Sequence, residues 1–281
     1  MATIRKEIER RQFLSAAAMA ATAAIWPVTA VGETGFVNRT IAIRGVTYRY
    51  VVYIPAGWTT ERSWPIILFL HGSTERGEDG LRQSRVGLGA ALRKYPDRYP
   101  ALVVMPQCRP ESDWISPAMQ AQALRALETT AKEFNGDARR TYLTGFSMGG
   151  YGSWDIAAKH PRRFAALAVV CGGILWPRSV AIRPLTPGTD NPYFRTARAV
   201  VHIPCWLFHG DQDRNVPVTE SRRMTDALKS LGANVQYTEY HGVAHECWNR
   251  VYVEPGLPVW LLAQALKEAG QSVKADRSQI S

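Results

Sequence analysis

The sequence predicts an α/β fold, a single domain on a mostly parallel eight-stranded sheet with helices on both faces. Three observations carry this reading. Short apolar runs such as Ile66-Ile67-Leu68-Phe69-Leu70 lack polar alternation, as strands covered on both faces do. Stretches with helical periodicity fall between these runs, and strands alternating with helices build parallel sheets. The chain has 281 residues; setting aside the first 30 leaves roughly 250, which suits one domain with a full core.

Each element has its own signal. Strands over 36–43 and 46–54 flank Arg44-Gly45 and read as a hairpin. A third strand covers 66–70, and a fourth, 101–105, leads into a loop over 106–116. Ser116-Pro117 opens a helix, with serine as cap and proline in the first turn. Ala123, Leu124, Leu127, Ala131 and Phe134 form its inner face, and Asn135-Gly136 ends it. The fifth strand contains Thr141-Tyr142-Leu143-Thr144, and the helical segment 150–160 after it stops at Pro161. The sixth strand is 165–170. The connection 174–201 is rich in Pro and Gly and reads as a loop with one short helix near 193–199. It has too few periodic apolar residues for a large lid, so the site should be open. A seventh strand, 203–208, precedes a helix over 218–231 that turns Met224, Ala227, Leu228 and Leu231 inward, with Gly232 at its end. After an eighth strand, 234–240, a last helix over 258–269 is expected to bury Val259, Trp260, Leu262 and Leu266.

Residues 1–30 read as a signal peptide. The start is charged, Arg10-Arg11-Gln12-Phe13-Leu14 precedes an Ala-rich apolar stretch, and small residues follow at Thr29-Ala30. The paired arginines suggest the twin-arginine type, and hence a transient partnership with that export machinery. The apolar stretch is short for a membrane span, and no cysteine sits near the cut to carry a lipid, so no stable membrane anchor is expected. The predicted location is periplasmic or secreted, with 31–281 as the catalytic domain.

Formal charge is +10; the first 30 residues hold four cationic against two acidic side chains, leaving +8 for the rest. That balance suits acidic polymers or a solvated exterior equally. No basic run is interleaved with aromatic residues, which argues against nucleic acid as a partner. Cys108, Cys171, Cys205 and Cys247 lack Cys-x-x-Cys spacing, so no metal site is expected. Cys205 reads as core; one disulfide among the other three is compatible with an exported chain.

The chemistry-bearing motif is Gly145-Phe146-Ser147-Met148-Gly149, placed between a strand and a helix. A sharp strand-to-helix turn exposes a serine hydroxyl, and glycines two positions either side let the turn form. On an α/β sheet such a serine is followed in the chain by an acid and then a histidine. Asp211 and Asp213 lie in the turn after the seventh strand, and His241 and His245 lie after the eighth. In such a set the imidazole takes the serine proton while the carboxylate orients and stabilises the imidazole. An oxyanion needs backbone N–H donors. One is expected from Met148, at the start of the following helix; the other is expected from Ser73, beyond His71-Gly72 at the end of the third strand. Trp114, Trp176 and Trp248, with His71, are read as substrate-binding residues near this end, the tryptophans forming an aromatic wall.

These residues resemble the α/β-hydrolase superfamily, in particular its group of esterases, dienelactone-hydrolase-like proteins and predicted peptidases (the putative phospholipase/carboxylesterase group). The matching pieces are Leu70-His71-Gly72 with Glu75-Arg76-Gly77, Met105-Pro106-Gln107-Cys108, the serine motif extended from Thr144 to Gly150, Cys171-Gly172-Gly173, His209-Gly210-x-x-Asp213-x-x-Val216-Pro217, and Gly242-x-x-His245-x-x-Trp248. The resemblance spans roughly residues 40–268 and is more specific for fold than for substrate. It implies Asp213 as the acid, three residues before Val-Pro, and His245 as the base. It implies a serine carboxylic-ester hydrolase working through an acyl-enzyme on a small-molecule or polymer-linked ester, without metal or cofactor. A peptidase or an acyltransferase of the same fold is the alternative within enzymes. A non-catalytic binding protein on the same scaffold is the alternative outside them.

Overall fold

The computed structural model describes residues 33–175 and 191–267. The expected signal peptide, Trp176 and the polar tail lie outside the described residues. Among the described residues no helix is long and apolar enough to cross a membrane.

The eight strands are β1 (Gly35–Ile43), β2 (Val46–Ile54), β3 (Trp64–Leu70), β4 (Leu102–Pro106), β5 (Gly136–Phe146), β6 (Ala166–Val170), β7 (Cys205–Gly210) and β8 (Val235–Tyr240). They form one sheet in the order β1-β2-β4-β3-β5-β6-β7-β8. β1, β2 and β4 pair antiparallel in sequence across the sheet; every pairing from β4 to β8 is parallel. Arg44 and Gly45 both take positive φ, 50° and 79°, as a two-residue hairpin turn requires.

The helices are α1 (Leu88–Lys94), α2 (Pro117–Glu133), α3 (Met148–Lys159), α4 (Pro192–Val200), α5 (Thr219–Ser230), α6 (Trp248–Val251) and α7 (Gly256–Leu262). Successive strand side chains face opposite ways, and β3 divides accordingly. Ile66, Leu68 and Leu70 join a core with α2, α3, α4 and α5. Ile67 and Phe69 join a second core with α1, α6 and α7. The sheet is covered on both faces, which is why its central strands are uninterrupted apolar runs.

The eight strands, the proline in the first turn of α2 and the short α4 agree with the sequence reading. Ser116 stands at the cap position of α2, but its side chain makes no capping hydrogen bond. Most of the 174–201 connection lies outside the described residues. Differences occur where helices are short. α1 and α6 have too few turns to show a period. The last helix ends at Leu262, well before 269, and Val259 is 72 % exposed. Leu257 and Leu261 are buried instead, while the expected Trp260, Leu262 and Leu266 pack, partly buried, against the same core.

Candidate active site

Ser147 sits between β5 and α3 with φ 52° and ψ −120°, a conformation that costs an L-residue energy and persists only when its surroundings impose it. The flanking glycines impose it by proximity. A Cβ at Gly149 would lie 1.9 Å from the Leu70 carbonyl oxygen, and one at Gly145 would lie 2.5 Å from the Gly149 carbonyl oxygen. The Ser147 N–H donates to the Val170 carbonyl at 3.0 Å, which ties the turn to β6.

Three distant segments meet here. His245 Nε2 lies 2.9 Å from Ser147 Oγ, and His245 Nδ1 lies 2.6 Å from Asp213 Oδ2. The other carboxylate oxygen of Asp213 accepts N–H bonds from Asn215 and Val216 at 2.8 and 2.9 Å. Burial pushes the Asp213 carboxyl up. Donation from His209, His245 and the Val216 N–H outweighs burial and holds it well below the usual carboxylate range. Asp213 is therefore a carboxylate facing an imidazole whose Nε2 accepts from the serine hydroxyl.

The neighbouring pair separates cleanly from this set. Asp211 Oδ2 lies 2.7 Å from Nδ1 of the exposed His241, and Oδ1 accepts the Gly242 N–H at 2.8 Å. Asp211 and His241 thus fasten the turn after β7 to the loop that carries His245. Each aspartate takes a different histidine.

Both expected oxyanion donors stand where helices leave N–H groups unpaired. Met148 is the first residue of α3, and Ser73 is the first of a 3-10 turn, Ser73–Glu75. Gly72 lets that turn close on the serine loop; a Cβ there would meet the Phe146 ring at 2.5 Å. Ser73 and Ser147 line one cavity of about 630 Å³ with Thr74, Phe146, Gln212 and Arg214, and with Asn215, His245, Glu246 and Trp248 nearby. Trp248 stacks on Phe146 at 4.4 Å between centroids and meets the His245 ring edge-on at 5.2 Å. It lines the cavity beside the catalytic histidine.

Two other expected substrate contacts are corrected. His71 is fully buried. Its Nδ1–H donates to the Gly72 carbonyl at 2.6 Å, and its Nε2 accepts the Cys108 N–H at 2.9 Å. Burial lowers its pKa to about 4, against the upward pull of the Gly72 carbonyl. It is a neutral strut that joins the ends of β3 and β4. Trp114 is also fully buried and donates its indole N–H to the His71 carbonyl at 3.0 Å. Gly152 on α3 makes room for it: a Cβ there would come within 2.2 Å of Trp114 Cβ. Loop position suggested exposure, but the tryptophan turns inward behind the oxyanion turn.

All four cysteines are free and buried, so no disulfide joins Cys108, Cys171 and Cys247. The sequence reading missed Gln212, Arg214 and Asn215 as cavity residues and Phe146 as a stacking partner. All four lie at the unspecified positions of the Gly-x-Ser-x-Gly and Gly-x-x-Asp-x-x-Val-Pro patterns, beside the residues that define them.

The Prolyl oligopeptidase family model matches residues 119–254, a span that contains all three triad residues. No curated protein sequence matches the chain. A thermostable esterase of known structure is 31% identical, with TM-score 0.67 over 82% of this chain; the match spans 63% of that longer chain. An S-formylglutathione hydrolase from Staphylococcus aureus is 15% identical, with TM-score 0.62 over 82% of this chain and 99% of its own. A feruloyl esterase module from Clostridium thermocellum is 16% identical, with TM-score 0.59 over 78% and 84%. The chain belongs to the α/β-hydrolase superfamily, and its serine, histidine and aspartate are arranged as in a serine hydrolase.

Proposed function

We propose that the protein is a carboxylic-ester hydrolase that works through an acyl-enzyme. The observation that carries this reading is the unbroken path from Ser147 Oγ through His245 to Asp213, at 2.9 and 2.6 Å, on the wall of an accessible cavity. Ser147 Oγ attacks the ester carbonyl carbon while its proton passes to His245 Nε2. The oxygen that becomes negative lies against the N–H groups of Ser73 and Met148, the second favoured further by the α3 dipole. Collapse of the tetrahedral species returns the proton to the leaving alkoxide. Water, deprotonated by the same imidazole, then releases the acid and restores Ser147.

The cavity favours an ester with a flat or ring-bearing portion. Trp248, stacked on the buried Phe146, gives the cavity an aromatic side, while Ser73, Thr74, Gln212 and Asn215 offer polar groups around it. Carbohydrate-linked and hydroxycinnamoyl esters fit that mixture, and short-chain esters are accommodated. The 31%-identical esterase supports ester cleavage, and the match to the Prolyl oligopeptidase family is why amides belong in the test; export by a twin-arginine signal belongs to the same proposal.

A fluorophosphonate probe should label the wild-type chain and not Ser147→Ala. Turnover should then be measured on p-nitrophenyl esters, methyl hydroxycinnamates and aminoacyl p-nitroanilides. Labelling without ester turnover, or faster cleavage of the anilides, would sink the esterase reading in favour of a peptidase. No labelling would favour a binding protein.

A further inference from the structure

We propose that His209 is a positioning residue for the acid of the triad, with Ser221 fixing its tautomer. This rests on the hydrolase reading above and deepens it. His209 is the next-to-last residue of β7, fully buried, and reaches the same Asp213 oxygen as His245. Its Nε2 lies 3.0 Å from the Val216 carbonyl oxygen and 3.2 Å from Asp213 Oδ2. Both are acceptors, so Nε2 carries a hydrogen. Its Nδ1 lies 2.7 Å from Ser221 Oγ on α5. The Ser221 hydroxyl donates there, since Nδ1 is then the ring's only acceptor. Reversing the tautomer would set a lone pair against two oxygen acceptors in a site without water access, a costly arrangement.

One carboxylate oxygen, Asp213 Oδ2, is thus shared by two imidazoles on different elements. Two backbone N–H groups hold the other oxygen. The carboxylate has no rotational freedom left, and the plane in which it meets His245 Nδ1 is set by β7 and α5 rather than by the catalytic loop alone. His209 cannot itself touch substrate, because neither it nor Ser221 lines the cavity. The other titratable groups facing Asp213 are His245, the Cys171 thiol after β6 and the Tyr151 phenol on α3. A donor atom of Cys171, of Asp213 and of His245 all lie within 4.8 Å of one another. Burial pushes Cys171 and Tyr151 up, so they face the carboxylate as neutral groups.

The test compares His209→Leu, His209→Gln and Ser221→Ala with wild type, all with kinetics divided by the fraction of sites that a fluorophosphonate titrates. His209→Leu removes a donor from a carboxylate, so kcat should fall roughly tenfold to a hundredfold, with KM moving less than threefold. The carboxylate's proton affinity rises without its donor, so the acid limb of the kcat/KM profile should move to higher pH. Gln, which can present an amide N–H where Nε2 lies, should restore most of kcat and the original limb. Ser221→Ala should fall between the two. Equal kcat and an unmoved acid limb in His209→Leu would overturn the proposal. So would a loss in Gln as deep as in Leu, which would mean that His209 serves packing alone. If Leu leaves too few titratable sites to measure, the other two variants decide: a Ser221→Ala enzyme with kcat and acid limb indistinguishable from wild type would overturn the proposal, and so would a Gln variant with kcat lowered tenfold or more. Absence of any fluorophosphonate labelling in wild type would instead sink the hydrolase reading itself.

Discussion

Gly149 and Leu70 approach so closely that a Cβ on the glycine would stand 1.9 Å from the leucine carbonyl oxygen. This contact wedges the first turn of α3 against the end of β3, so the serine loop and the oxyanion turn are built as one unit. Backbone cannot yield as a flexible side chain can. Gly149→Ala should therefore cost several-fold more activity than its small size suggests, at least roughly a hundredfold, since an ångström-scale displacement of reacting groups has that effect. Ala at Gly242, where nothing lies within 4 Å, is the comparison; strain from its positive φ should lower stability modestly and leave turnover near wild type. Steady-state kinetics of both variants decides the matter.

The strain at Ser147 should be measurable as stability. Its φ of 52° and ψ of −120° suit glycine better than any other residue. Ser147→Gly and Ser147→Ala should both abolish turnover, but the glycine variant should be more stable than the alanine variant by about 1 kcal/mol. Urea denaturation of the two proteins reads this difference, and equal midpoints would show that the loop is unstrained.

Asp213 and Asp211 stand two residues apart and have unlike partners. Asp213→Asn should lower kcat by roughly a thousandfold to ten-thousandfold, because the amide would favour the wrong tautomer of His245. Asp211→Asn should cost at most about threefold, since its partner His241 is exposed and exposed pairs contribute little. Comparable losses in the two variants would mean that the acid is misassigned.

His71 should leave a mark on the pH dependence of folding. Its pKa falls from 6.5 to about 4 on burial. Between those values the unfolded chain binds a proton that the folded chain does not, so stability declines as pH drops from 6.5 toward 4 and levels below. The full effect is of order 3 kcal/mol. Asp213 acts lower: its depressed carboxyl contributes stability above the unfolded value near 3.9 and loses it as pH falls further. His71→Gln should flatten the upper window and leave the lower one intact. Urea midpoints from about pH 2.5 to 7.5 check this, and an unchanged slope between 4 and 6.5 would assign the upper window to other groups.

Much of the molecule is legible along the chain because its signals are local. Uninterrupted apolar runs mark strands covered on both faces, and the Gly-x-Ser-x-Gly spacing marks a turn that admits no Cβ at its flanks. Chain order narrowed the acid and base to two candidates each, and the family pattern chose Asp213 and His245. Contacts between segments far apart in sequence were decided by tertiary structure alone. Trp114 and Trp248 look alike in sequence, both in loops after strands. One is drawn in beside Gly152 and the other is laid over Phe146 at the cavity, because the room for a large ring is set by a helix or strand elsewhere in the chain. His71 and His209 likewise became a strut and a support for Asp213 only when β3 met β4 and β7 met α5. A residue's type fixes which hydrogen bonds it can make; packing fixes which partners come within reach, and packing is a property of the whole chain.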